Sequence, residues 1–285
     1  MRVAACQVSL ALGEVSQNLA TADEAITKAA GDGAQIVVLP ELTPSGYYLK
    51  DKARARLLAE PADGPTAARW SKLAAQHGLV IVGGICERGE QGRVYNSAIL
   101  VDPGGVRAVY RKAHLWDKEN DYFVPGDAEP PVTDTLHGRI AVMICYDVEF
   151  PEWVRLPALA GAELLAVPTN WPEPGKEEKA PDGERPIEAV NVQAAAFTNR
   201  MFIAAACRCG TENGESWVGG SIIAGPYGYP LAGPAGTQPA QVIADCELWR
   251  ARDKKLNSHN DVHASRRTDL YGGTARPGSA GPPDG

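Results

Sequence analysis

The chain repeats one local design, a short apolar run of strand length that stops abruptly at polar residues. Four segments show it: Ile36-Val37-Val38-Leu39-Pro40-Glu41, Val109-Tyr110-Arg111-Lys112-Ala113-His114, Ala141-Val142-Met143-Ile144-Cys145-Tyr146-Asp147 and Leu165-Ala166-Val167-Pro168-Thr169-Asn170-Trp171. Further strands are expected at Val3–Val8, Gln35–Leu39, Leu79–Ile85, Arg139–Cys145, Leu164–Pro168 and Phe202–Cys207, with late ones near Gly220–Ala224 and Gln241–Asp245. Helical periodicity falls between them, at Ser16–Ala30 with Ser16 as N-cap, Thr66–His77, Pro151–Ala160 and Ile187–Asn199. Tyr95–Val101 and Val106–Arg111 read as a hairpin around Asp102-Pro103-Gly104-Gly105. A βαβ-rich order broken by hairpins predicts a layered α/β fold rather than a purely parallel sheet.

No internal boundary interrupts this pattern, so residues 1–271 read as one domain. The Gly- and Pro-rich tail, 272–285, is expected to be disordered. The charged, Pro- and Gly-rich stretch Pro172–Pro186 is internal and reads as a functional surface loop.

Charge excludes two classes of partner. The net charge is −7 and no block of Lys or Arg occurs, which argues against a nucleic-acid surface or an anionic membrane. No apolar run approaches the ~18 residues of a membrane span, and the N-terminus turns polar too quickly for a signal peptide. The six cysteines follow no framework spacing, so reduced thiols in the cytoplasm are expected.

In layered α/β folds the loops beyond strand ends gather at one edge and carry the site. Glu41, Lys112 and Cys145 could therefore meet, and a thiol, a carboxylate and an ammonium there supply a nucleophile, a general base and a charge stabiliser. A free thiol has a pKa of ~8.5 and needs such help at neutral pH. The N–H of Tyr146, just past the thiol, is a natural second donor to a tetrahedral oxyanion.

The blocks Leu39-Pro40-Glu41, Tyr110-Arg111-Lys112-Ala113-His114-Leu115 and Ile144-Cys145-Tyr146-Asp147-Val148-Glu149-Phe150-Pro151-Glu152 match, in order, the three catalytic blocks of the nitrilase superfamily. The chain resembles that family from Arg2 to about Tyr271. The resemblance implies a four-layer αββα sandwich, assembled as a homodimer or higher homo-oligomer. It implies Glu41 as general base, Lys112 as oxyanion stabiliser, Cys145 as the thioester-forming nucleophile and Glu119 as the family's second glutamate. Neither a cofactor nor a metal is implied. Cys145-Tyr146-Asp147 resembles the small-amide amidases, including ω-amidase-like and 5-aminopentanamidase-like members. The expected reaction is therefore hydrolysis of a small linear carboxamide to acid and ammonia, with Tyr146, Asn170 and Trp171 as candidate substrate contacts. An N-carbamoyl hydrolase and a nitrilase are alternatives using the same residues, and a non-catalytic binding subunit is a third. The block Asp261–Tyr271 resembles the family's terminal motif, but Ser265 and Thr268 stand where Asp and Pro are common.

Other candidates read as structural. His114, two residues from Lys112, is expected to be a hydrogen-bonded structural histidine. His259 and His263 have the spacing of a helical metal pair, yet no third ligand lies nearby, so no metal is expected there. Cys207 and Cys209 read as core. Phosphate-loop, dinucleotide and serine-hydrolase motifs do not occur.

Overall fold

The computed structural model describes residues 1–173 and 185–271. The chain divides into two compact units, Met1–Asp253 and Lys254–Gly285. The expected tail at 272–285, and most of the expected loop after Trp171, lie outside the described residues.

The first half of the chain forms β1 (Arg2–Gln7), α1 (Val15–Gly31), β2 (Ile36–Val38), α2 (Lys52–Leu58), α3 (Pro65–His77), β3 (Val80–Arg88), β4 (Val94–Asp102), β5 (Gly105–Arg111) and α4 (Glu119–Tyr122). The second half forms β6 (Val132–Thr135), β7 (Gly138–Val142), α5 (Pro151–Leu159), β8 (Leu164–Thr169), α6 (Ile187–Asn199) and β9 (Phe202–Cys207). It ends with β10 (Cys209–Glu212), β11 (Glu215–Val218), β12 (Ile222–Ala224), β13 (Pro230–Ala232) and β14 (Ala240–Asp245).

Two six-stranded sheets result, in the orders β14-β1-β2-β3-β4-β5 and β13-β12-β9-β8-β7-β6. Each has a parallel centre, β1-β2-β3 or β7-β8-β9, flanked by antiparallel strands. Strand alternation sets the layers, because successive side chains point to opposite faces. Val3, Ala5, Ile36, Val38, Val80 and Val82 of the first sheet share one core with Ala141, Leu165 and Val167 of the second. Their neighbours Ala4, Cys6, Val37, Leu39 and Ile81 pack instead against Ala22, Ile26, Trp70 and Ala74 of α1 and α3. Val154, Ala158, Val192 and Ala196 of α5 and α6 cover the second sheet. The architecture is the expected four-layer αββα sandwich, and burial on both faces explains why the central strands read as unbroken apolar runs.

Local differences have local causes. Helix α1 starts at Val15, so Ser16 lies in the first turn and is not its N-cap. The chain's entry is fixed instead by Asn18, whose side chain accepts from Ala11 N at 2.8 Å and donates to Ala11 O at 2.7 Å and Pro44 O at 2.9 Å. The edge strand β6, the β10-β11 ribbon and β13 are short and carry little apolar pattern, which is why the sequence pattern passes over them.

In the second unit, Asp261 accepts from His263 N and Ala264 N at 2.8 Å each, and Ser265 Oγ accepts from Asp261 N at 3.2 Å. His259 and His263 therefore lie on turns, not on a helix face.

Candidate active site

Four strand ends converge. Past β2, Glu41 sits in a turn stitched to β3: Gly84 N donates to Pro40 O at 3.0 Å and Thr43 N to Gly84 O at 2.9 Å. A Cβ on Gly84 would lie 2.5 Å from Glu41 Cα and 2.4 Å from Leu42 N, so only glycine lets this turn close onto β3. Lys112 follows β5 and is registered by its N–H, which donates to Asn96 O of β4 at 2.8 Å. Glu119 begins the one-turn helix α4.

These three side chains form a buried charge cluster. Lys112 Nζ lies 2.8 Å from Glu41 Oε1 and 2.8 Å from Glu119 Oε1, and all three side chains are fully buried. Asn96 Nδ2 donates to Glu41 Oε1 at 2.6 Å, Tyr47 OH to Glu119 Oε1 at 2.6 Å and Trp116 N to Glu119 Oε2 at 3.2 Å. Buried charges persist only when paired and hydrogen-bonded; both carboxylates are paired with Lys112 and hydrogen-bonded, while among the described residues Glu41 Oε2 has no hydrogen-bond partner.

Cys145 enters from the other sheet. It opens a short 3₁₀ turn, Cys145–Glu149, directly after β7. Its φ of +46° is unusual for a side-chain-bearing residue. Asp147 anchors that turn: Oδ2 accepts from Ile144 N at 3.2 Å and Tyr110 OH at 2.8 Å, while Oδ1 accepts from His114 N at 3.0 Å and lies 2.8 Å from His114 Nδ1. His114 is thus a hydrogen-bonded structural residue, stacked on Phe150 with ring centroids 3.8 Å apart. Cys145 Sγ donates to Asn170 O over 4.0 Å, and Asn170 Nδ2 donates to the Glu41 backbone O at 2.9 Å, so the residue just past β8 ties the thiol to the turn that carries Glu41.

Burial controls the protonation states. It raises Glu41 to about 7, against the opposing pull of Lys112. It pushes the Cys145 thiol well above its usual range, with the Glu41 charge adding and Lys112 subtracting. Burial alone would lower Lys112, but Glu119 and Glu41 outweigh it and hold the ammonium charged. The resting site can therefore hold a protonated thiol beside a carboxylate poised near neutrality.

The structure brings Glu41, Lys112, Glu119, Cys145 and Asn170 together. Tyr146 follows the thiol, with its ring edge-on to Trp116 at 4.8 Å and to Phe150 at 5.0 Å. Trp171 is buried; its N–H donates to Cys207 Sγ at 3.1 Å. Sequence reasoning missed Asn96, Tyr47 and the anchoring role of Asp147. Asn96 had a faint signal as a polar residue inside the apolar strand Val94–Asp102, whereas Tyr47 had none. Among the described residues, no group of three or more His, Cys, Asp or Glu could hold a metal ion.

Two stacked sheets that meet at a buried Glu–Lys–Glu cluster beside a thiol define a layered α/β hydrolase. Comparison with known proteins narrows this. The family model of the carbon-nitrogen hydrolases matches residues 2–255, and the chain belongs to that family, within the nitrilase superfamily. It is an enzyme acting on non-peptide carbon–nitrogen bonds. It is 33% identical to a protein named nitrilase from Pyrococcus abyssi, over 95% of this chain and 99% of that one. It is 34% identical to N-carbamoylputrescine amidase of Solanum lycopersicum, over 90% of this chain and 89% of that one. Among solved structures, a glutamate-to-glutamine mutant of the amidase from Nesterenkonia sp. AN1 is 30% identical with a TM-score of 0.78, covering 95% of this chain and 98% of that one. That structure shows the result of Michael addition of acrylamide at its active site cysteine.

Proposed function

We propose that the chain hydrolyses a small linear carboxamide to the acid and ammonia through a thioester on Cys145. The observation that carries this reading is the Lys112 ammonium held at 2.8 Å from both Glu41 and Glu119, beside the thiol. The acrylamide adduct on the relative's active site cysteine supports the role given to Cys145.

Glu41 takes the thiol proton as Sγ attacks the amide carbon. A carboxylate near 7 is matched to that task at neutral pH. The oxyanion meets Lys112 Nζ and the Tyr146 N–H, charge stabilisation that a dry site strengthens. On collapse, the C–N bond breaks and Glu41 hands its proton to the departing nitrogen, releasing ammonia. Water then gives a proton to Glu41 and its hydroxide to the thioester carbon. The C–S bond breaks, the acid leaves, and the proton returns to sulfur. Glu119 accepts three donors in the resting site, which fits an anion whose first task is to hold Lys112. Asn170 and Trp171 are read as pocket residues on the β8 side.

Relatives named nitrilase, carbamoyl amidase and amidase stand at similar identity, so the leaving group needs a direct assay. The test is intact-mass and product analysis with acetamide, propionamide, butyramide, 5-aminopentanamide, N-carbamoylputrescine and propionitrile. Fast ammonia release from an amide, with an acyl adduct on Cys145, supports the reading; turnover of the ureido or nitrile compound alone overturns it.

The same reading places the enzyme in a reducing compartment such as the cytoplasm, supported by six free cysteines. Among the described residues, no helix is long and apolar enough to cross a membrane. A homodimer or higher homo-oligomer is supported by α6, which exposes Ile187, Val190 and Phe197 on the face opposite its buried one. Light scattering that finds a monomer would remove that part.

A further inference from the structure

We infer that Tyr47 is a positioning residue for the hydrolysis, aiming the Glu119 carboxylate at Lys112, and that a buried Arg208–Glu212 pair fixes where Tyr47 sits. The inference rests on the reading of Cys145, Glu41 and Lys112 given above.

Glu119 Oε1 receives both the Lys112 ammonium at 2.8 Å and the Tyr47 hydroxyl at 2.6 Å. Two donors on one oxygen set the direction in which that carboxylate faces the ammonium. Burial, reinforced by the Glu119 charge, keeps Tyr47 protonated and therefore a donor throughout the working pH range.

Tyr47 is itself held from elsewhere. Glu212, at the end of β10, accepts from Tyr47 N at 3.0 Å and Tyr48 N at 2.8 Å. Its other oxygen accepts from Arg208 Nη1 at 2.8 Å. Arg208 is fully buried; its second amino group donates to Leu10 O, and its guanidinium lies 4.9 Å from the Trp217 ring centroid. Trp217 meets the Tyr47 ring edge-on at 5.2 Å. The turn before Tyr47 leaves no slack: Gly46 has φ +76°, and a Cβ there would lie 2.6 Å from Glu212 Oε2 and 2.8 Å from Leu12 Cα. A buried ion pair is a poor way to gain stability. Here it fastens two backbone N–H groups, and through them a phenol that reaches the reacting cluster.

The test uses whichever amide in the panel above is turned over fastest. Tyr47→Phe keeps the ring and removes one hydrogen bond to a charged group, so kcat should fall about 10- to 100-fold. KM should change far less, because the bond acts on the lysine's aim rather than on ground-state binding. Glu119 is faced by Lys112, by Glu41 across that ammonium, by Tyr122 of its own turn and by Tyr47. The thermal midpoint should stay close to wild type. Glu212→Gln keeps an acceptor oxygen for the two N–H groups and should lose less kcat than Glu212→Ala. If Glu212→Ala does not fold, Tyr47→Phe still decides. Native kcat in Tyr47→Phe overturns the inference, as does a kcat loss accompanied by a comparable rise in KM or by a proportionate drop in thermal midpoint. Cys145→Ala run alongside separates the two readings: if it still turns over amide, the underlying mechanism is wrong whatever Tyr47→Phe does.

Discussion

The two sheets bring unlike contributions to the site. The first supplies charge: Lys112 sits between the fully buried Glu41 and Glu119, and each carboxylate takes a further hydrogen bond, from Asn96 and from Tyr47. The second supplies the proposed nucleophile: among the described residues Cys145 meets only neutral partners, Asn170 O at 4.0 Å and the Thr169 side chain, and stays partly accessible, with its backbone at positive φ. One side is over-determined and the other is left free to react. The lesson is that electrostatic preorganisation and nucleophilicity can be assigned to different layers, and damage to each should look different.

The largest expected effects test that division. Cys145→Ala should reduce kcat by roughly 10⁵–10⁶-fold, the scale of losing a nucleophile, with an unchanged melting curve. Lys112→Met should cost about 10²–10³-fold in kcat and also destabilise by ~3–5 kcal/mol, because two buried carboxylates lose their shared cation. Chemical denaturation of both variants checks the contrast; equal stability would show that the cluster is not a buried ionic unit.

Glu119→Gln comes next. It should lower kcat by about 10²-fold, the cost of misplacing a reacting group by ~1 Å, while iodoacetamide still alkylates Cys145 at a near-native rate. Loss of alkylation would move Glu119 from the charged side of the comparison to the nucleophile's.

A smaller effect comes from pH. As the proposed base, Glu41 would have to be deprotonated to take the thiol proton, and burial raises it to about 7. kcat/KM should therefore fall about tenfold per pH unit below that value. A profile flat down to pH 5 would show that Glu41 is not the base. The mildest change expected is in Trp171→Phe, which should alter the ratio of rates on acetamide and butyramide by less than about tenfold, the scale of pocket-shape changes. Uniform loss on both amides would place Trp171 among the catalytic supports instead.

How much of this was legible in the sequence follows the same division. Strands buried on both faces announce themselves as apolar runs, and the abrupt polar residues at their ends marked Glu41, Lys112 and Cys145. The hairpin was readable because Asp102-Pro103-Gly104-Gly105 is local turn chemistry, and the structure pairs Asp102 with Gly105. Asn96 left only a faint mark, and the roles of Tyr47 and Asp147 left none. Their roles depend on distances across as many as 72 residues of sequence, as between Tyr47 and Glu119, and no local pattern encodes such a meeting. The N-cap expected at Ser16 is absent because α1 starts one residue earlier, at Val15, with Glu14 at the cap position, and Asn18 ties the entry back to Ala11.

Asp147 carries a consequence for the order in which the enzyme matures. Its carboxylate joins the turn of Cys145, on the second sheet, to Tyr110 and His114, at the end of the first. Those bonds cannot form until the sheets have docked, and contacts of such long sequence separation are late to close. During refolding, catalytic competence should therefore return after secondary structure and after compaction of each half, and the appearance of turnover would time the moment the two sheets meet.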